Sequence, residues 1–171
     1  METNKDTRLK KIEDLLSQAT EPISGSDLAK IFDLSRQVIV QDIALLRARN
    51  VPIASTYKGY ILKKISPYQR VFKVCHQDDE IVTEMNRVVD LGARIEDVFI
   101  QHRVYGEIRG EMNIKSRKDV QAFMEKLRNS VSSPLKNITS NYHFHTISAD
   151  DEETLDQVEE VLESLGFLVH E

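Results

Sequence analysis

The sequence predicts an α+β protein of two domains, and three observations carry that expectation. Over residues 1–64, apolar residues recur at helical spacing in three successive segments before two short β-prone runs. Beyond Ser66-Pro67, β-prone runs and helical segments alternate along the chain. Charge divides at the same junction. Residues 1–64 carry 11 Lys/Arg against 8 Asp/Glu, a net of +3, whereas residues 65–171 carry 12 against 20, a net of −8. The expected domains are therefore residues 1–65 and 66–171.

Residues 6–19 place Leu9, Ile12, Leu15 and Leu16 on one helical face, and Pro22 and Gly25 end that segment. A short helix follows in SDLAKIF, with Ser26 as its expected N-cap and Leu28 and Ile31 facing inward. After the turn at Asp33-Leu34, Ser35 caps a third helix running to Arg49, whose inward face is Ile39, Ile43 and Leu46. VPIASTYKGYILKK then reads as a hairpin turning around Tyr57-Lys58-Gly59. Three helices with a tight turn before the third, then a hairpin, make the layout of a winged helix-turn-helix.

The second domain reads as a strand at 69–75, a helix from Asp78 to Leu91, strands at 95–101 and 105–114, and a helix from Ser116 to Asn129. A strand from Tyr142 to Ser148, a helix from Asp151 to Leu165 and a last strand, FLVH, complete it. The order is βαββαβ with an added αβ unit, a sandwich of ferredoxin-like type.

Several classes are excluded early. No run approaches the ~18 apolar residues needed to span a bilayer. METNKDTRLK lacks the apolar stretch of a signal peptide, so a cytoplasmic protein is expected. Cys75 is the sole cysteine, so no internal disulfide framework exists, and it reads as a small buried strand residue.

A basic first domain on an acidic chain suits a reader of double-stranded DNA. In a winged helix the third helix enters the major groove, and Ser35, Arg36, Gln37, Val40 and Gln41 lie off its apolar stripe. Arg36 can pair with guanine, Gln37 or Gln41 with adenine, and Val40 can meet a thymine methyl. Lys58 at the hairpin tip is placed to approach phosphate or the minor groove.

All five histidines fall after residue 75. His143-Phe144-His145 lies on a strand, where alternate side chains share a face, so both imidazoles project together as a two-ligand arm for a transition metal. His76 ends the first strand of the domain. In the expected fold the fourth strand lies antiparallel beside the first, which brings His76 to His143 and His145. A carboxylate ligand can come from the following helix, where Glu80 and Glu84 are one turn apart; spacing does not choose between them. His102 ends the second strand at the same end and can line an adjoining pocket. His170 has no expected role.

LSRQVIVQDIALLR followed by YKGYIL resembles the biotin-repressor type of winged helix. A biotin-ligase role fails on length and on the absence of that enzyme's Gly-rich motif. Over residues 6–170, the motifs HQDDEIVTEM, FIQHRVYGEIRGEMNI and SNYHFHTISA resemble the niacin-responsive repressors of bacterial NAD biosynthesis and uptake genes. Their C-terminal part is called the 3H domain after its histidines. The resemblance implies a divalent metal, nickel or zinc, held by His76, Glu84, His143 and His145, and so selects Glu84. It also implies nicotinic acid as co-repressor, with His102 and Arg103 as candidates to complete its recognition, and a homodimer that places two winged helices on operator DNA.

Two other readings compete. In one, the metal itself is the signal and no niacin binds. In the other, the cluster is a hydrolytic centre tethered by the winged helix. Three histidines and a carboxylate already fill a tetrahedral zinc. No nucleophile motif, phosphate loop or HExxH helix is present, so no enzyme activity is expected.

Overall fold

The computed structural model of the chain describes residues 4–64 and 66–170; Met1–Thr3, Ile65 and Glu171, where the expected domains begin or end, lie outside them. The chain forms two compact units, Met1–Ile65 and Ser66–Glu171.

In the first unit α1 (Asn4–Gln18), α2 (Gly25–Phe32) and α3 (Arg36–Ala48) precede an antiparallel hairpin of β1 (Ile53–Ser55) and β2 (Tyr60–Leu62). Leu9, Ile12 and Leu16 of α1 close over Leu28, Ile39, Ile43 and Leu46, with Leu15 half-buried at the margin. Two expectations for α2 are corrected. Its cap is Ser24, not Ser26: Ser24 Oγ accepts from the Asp27 N–H at 3.0 Å and donates to the Asp27 carboxylate at 2.7 Å. Ile31 is 57% exposed rather than inward. The face turned to the core is Leu28, Ala29 and Phe32, and Ile31 lies roughly 100° from the centre of that stripe.

Gly59 fixes the hairpin. Tyr60 exchanges two backbone hydrogen bonds with Ile23, the residue between α1 and α2, at 2.8 and 2.9 Å. At Gly59 φ is +145°, and a Cβ there would stand 2.3 Å from the Ile23 carbonyl oxygen. Only glycine permits both the conformation and the approach.

The second unit runs β3 (Tyr68–Cys75), a 3₁₀ turn (Asp78–Glu80), α4 (Ile81–Asp90), β4 (Arg94–His102), β5 (Gly106–Ile114) and α5 (Arg117–Asn129). A 3₁₀ segment (Leu135–Thr139) follows, then β6 (Tyr142–Ala149) and α6 (Glu152–Ser164). The strand order is β3-β6-β4-β5 with every neighbouring pair antiparallel, so two split β-α-β units interleave and β6 and β4 hold the centre. Phe72, Val74, Ile95, Ile100 and Ile147 are buried, as are Met85 and Val88 of α4 and Leu155, Val158 and Leu162 of α6.

The expected last strand is shorter than FLVH suggests. It makes one bridge, Val74 to Leu168, with Cys75 N–H donating to the Phe167 carbonyl and Val169 N–H to that of Lys73. Cys75 itself is only half-buried, at the C-terminal end of β3, one of the two edge strands of the four-stranded sheet. A further irregularity matters more. Between Ile95 and Phe99 the register of β4 against β6 shifts, a β-bulge in the middle of the sheet.

Candidate functional site

The β3–β6 register sets Val74 opposite His143 and Phe72 opposite His145, which leaves His76 just past the strand end beside the start of β6. The chain then reverses. Glu80 is consumed in this turn: its carboxylate accepts from the Gln77 N–H at 2.8 Å. One helical turn later Glu84 points back over the sheet and is buried, as are His76, His143 and His145. The structure therefore brings Glu84, not Glu80, to the three histidines.

Glu84 Oε2 lies 2.7 Å from His76 Nε2, 3.4 Å from His145 Nε2 and 3.7 Å from His143 Nε2. Ligands at bonds of ~2.0–2.1 Å around a tetrahedral ion stand about 3.4 Å apart, so these separations suit a shared small cation. The ligating atoms of His76, Glu84 and His143 all fall within 4.8 Å of one another.

The other ring nitrogens decide the chemistry. His76 Nδ1 meets the Gln77 carbonyl at 2.9 Å, His143 Nδ1 that of Asn141 at 2.9 Å, and His145 Nδ1 that of Asp97 at 2.7 Å. A carbonyl can only accept, so each Nδ1 must carry the proton. The Nε2 atoms then face the carboxylate, where each can carry a second proton and donate to Glu84, or stay bare and offer a lone pair to a metal ion. His145 Nε2 is buried with no hydrogen-bond partner. Three rings held at Nδ1 with converging Nε2 atoms are the donor set that a transition metal takes.

Protons compete for the same lone pairs. Burial alone would raise the Glu84 carboxyl, but the facing imidazoles, His145 foremost, hold it well below the usual carboxylate range. Burial alone would lower His76 and His145; Glu84 raises both above the ordinary histidine value. For His143 burial prevails and its value falls.

The β4 bulge supplies the third carbonyl. There the Thr146 N–H bonds the Asp97 side chain at 2.9 Å instead of a strand carbonyl, which leaves the Asp97 carbonyl for His145. Arg109 holds the Asp97 carboxylate from the neighbouring strand. Nothing in the spacing of the sequence announces this carbonyl, although a buried Asp on a strand is an unusual enough feature to flag it.

A cavity of about 40 Å³ adjoins the cluster, lined by the four residues together with Val98, Met112, Phe123 and Leu127 among others. His102 and Arg103 do not line it. His102 Nδ1 accepts the N–H groups of Val104 and Tyr105, each at 3.1 Å, so its ring closes the β4–β5 turn. Arg103 is exposed on that turn, and His170 is exposed against Glu163.

In the first unit, Arg36, Gln37, Val40 and Gln41 are exposed on α3, away from its buried stripe. Ser35 is exposed but committed to capping: its Oγ accepts the Val38 N–H at 3.3 Å. Lys58 is half-buried, 3.7 Å from Glu21 and over the Tyr57 ring. The inward face of α3 also carries a residue that the apolar pattern passed over. Asp42 is buried and receives a two-pronged pair from Arg8 at 2.7 and 2.9 Å, which braces α3 against α1.

Comparison with known proteins now bears on these two units. A model of an HTH domain matches residues 8–61, and a model of the 3H domain matches residues 69–171. Aligned over its full length, the chain is 41% identical to "Probable transcription repressor NiaR" of Thermotoga maritima and covers 98% of it. The chain belongs to the NiaR-type family of transcription repressors. It is also 36% identical to "Transcription repressor NadR" of Bacillus subtilis, over 90% of this chain and 88% of that protein. Membership makes it a DNA-binding regulator rather than an enzyme. Among the described residues no helix is long and apolar enough to cross a membrane.

Proposed function

We propose that this repressor controls genes of NAD biosynthesis and niacin uptake, and that its second unit holds a divalent nickel or zinc ion and senses nicotinic acid. The observation that carries the reading is the cluster of three Nδ1-anchored histidines converging on buried Glu84. His76, His143, His145 and Glu84 would hold the ion. A bound ion supplies a Lewis-acidic position beside the cavity, able to take a pyridine nitrogen or a carboxylate when its coordination expands beyond four. Val98, Met112, Phe123 and Leu127 offer the apolar wall that an aromatic ring needs.

On the DNA side, Arg36, Gln37, Val40 and Gln41 would read base edges in the major groove. Ser35 secures the start of the helix, and Lys58 would approach phosphate. A single reading helix contacts little DNA, so a homodimer would present two of them to successive major grooves. The effector acts by binding one arrangement of that dimer better than another. Driving a population from 1:99 to 99:1 takes a preference of about 5.5 kcal/mol.

The test is operator retardation with metal-loaded protein across a nicotinate titration. Retardation that rises with nicotinate supports the co-repressor role; retardation that ignores nicotinate at every metal loading removes it. A second reading, in which the metal alone is the signal, gains support from the cavity. At about 40 Å³ it is tight for a pyridine ring without movement of its wall. Calorimetric titration of the metal-loaded protein with nicotinate separates the two.

A further inference from the structure

Lys136, on the 3₁₀ segment Leu135–Thr139, is only 3% exposed. Burying an ammonium is costly unless its hydrogen bonds are replaced. Here they are. Nζ donates to Asp78 Oδ1 at 2.5 Å, Asn141 Oδ1 at 2.8 Å and Asn137 Oδ1 at 3.3 Å. Three donors meet three acceptors.

The acceptors belong to the two turns that anchor histidines. Asp78 follows Gln77, whose carbonyl takes His76 Nδ1. Asn141 offers its own carbonyl to His143 Nδ1. The turns are also stitched directly: Asn141 Nδ2 donates to Gln77 Oε1 and Asn137 Nδ2 to Asp78 Oδ2, each at 3.4 Å. Ser140 and Asn141 have φ of 53° and 72°, a conformation that non-glycine residues hold only when their surroundings enforce it. One ammonium therefore sits at the knot joining both turns, while His145 hangs from the Asp97 carbonyl on the β4 bulge, outside the knot.

We propose that Lys136 is a positioning residue for the histidine cluster, locking the Gln77 and Asn141 carbonyls so that the His76 and His143 rings present Nε2 at the site. The proposal rests on the reading of that cluster as a metal centre. Lys136 also lines the cavity beside the cluster, but in this role it acts through the turns, setting the aim of two of the three histidines.

The experiment uses the full chain without metal, then with Zn²⁺ as the probe. Ring-proton exchange by NMR reports each Nδ1–H separately. Lys136→Met keeps the aliphatic stem and removes the ammonium. The expected result is faster exchange at His76 and His143 with His145 unchanged, and Zn²⁺ affinity lower by about 10- to 100-fold. Asn141→Gly retains a residue suited to positive φ and the carbonyl that holds His143, and removes only the side-chain tie. It should loosen the same two rings, with a loss of Zn²⁺ affinity of roughly 5-fold. If Lys136→Met does not fold, Asn141→Gly decides alone. Unchanged exchange at His76 and His143, or equal loosening of all three rings, overturns the proposal. A wild-type chain that takes up no Zn²⁺ defeats the metal reading, while ring exchange still decides the role of Lys136.

Discussion

The two units differ in how one buried carboxylate of each is met. In the first, one buried carboxylate, Asp42, is met in full by Arg8, and the other buried side chains among the described residues are apolar. In the second, one carboxylate, Glu84, and three imidazoles share an interior site, and His145 Nε2 stands 3.4 Å from Glu84 without a well-formed hydrogen bond. The first interior is chemically complete as a polypeptide. The second is complete only with a cation, whether protons or a metal. On the proposed reading that difference separates a reading unit complete in itself from a unit whose stability would rise with the ion it holds.

The comparison is broken most severely at Glu84. Glu84→Gln removes the one charge that draws the three Nε2 atoms together. We expect Zn²⁺ or Ni²⁺ affinity to fall roughly 100-fold or more, beyond the loss of an outer partner, measured by metal analysis after gel filtration. Metal should then no longer raise the melting temperature of the second unit, with the first unaffected. Retained metal would mean that the histidines suffice.

A smaller effect is expected at Asp42. Asp42→Ala strands Arg8, which keeps partial access to water, so the cost should be about 2 kcal/mol, between that of exposed and buried pairs. Urea unfolding should place the loss in the first unit, with metal content unchanged. A loss shared by both units would end the claim that they are independently complete.

The smallest effect on folding belongs to Arg36→Ala, on an exposed surface. Neither melting transition should move, while operator affinity falls by about 1–3 kcal/mol, mainly against the cognate base pair. Equal loss on unrelated DNA would make Arg36 a phosphate contact instead.

Periodicity made the elements legible. The stripe Ile39, Ile43, Leu46 and the His-x-His alternation are local facts of helix and strand geometry, and both survive into the structure. The errors in α2 have an equally local cause. Two serines, Ser24 and Ser26, compete for one cap, and Leu28 is compatible with two stripes, so propensity does not choose between them.

What the sequence alone determined is the order of the main elements, the face that most of them present, α2 excepted, and the pairing of His143 with His145, because these depend on repeat distances of 3.6 and 2 residues. Tertiary structure decided the rest. Glu84 rather than Glu80 reaches the histidines because Glu80 is spent closing the turn after β3. Asp97 offers a carbonyl to His145 because a bulge interrupts β4. Lys136 meets Asp78 across 58 residues because two turns meet at one end of the sheet. These contacts depend on strand register and on backbone groups released from it, which no spacing between residues records.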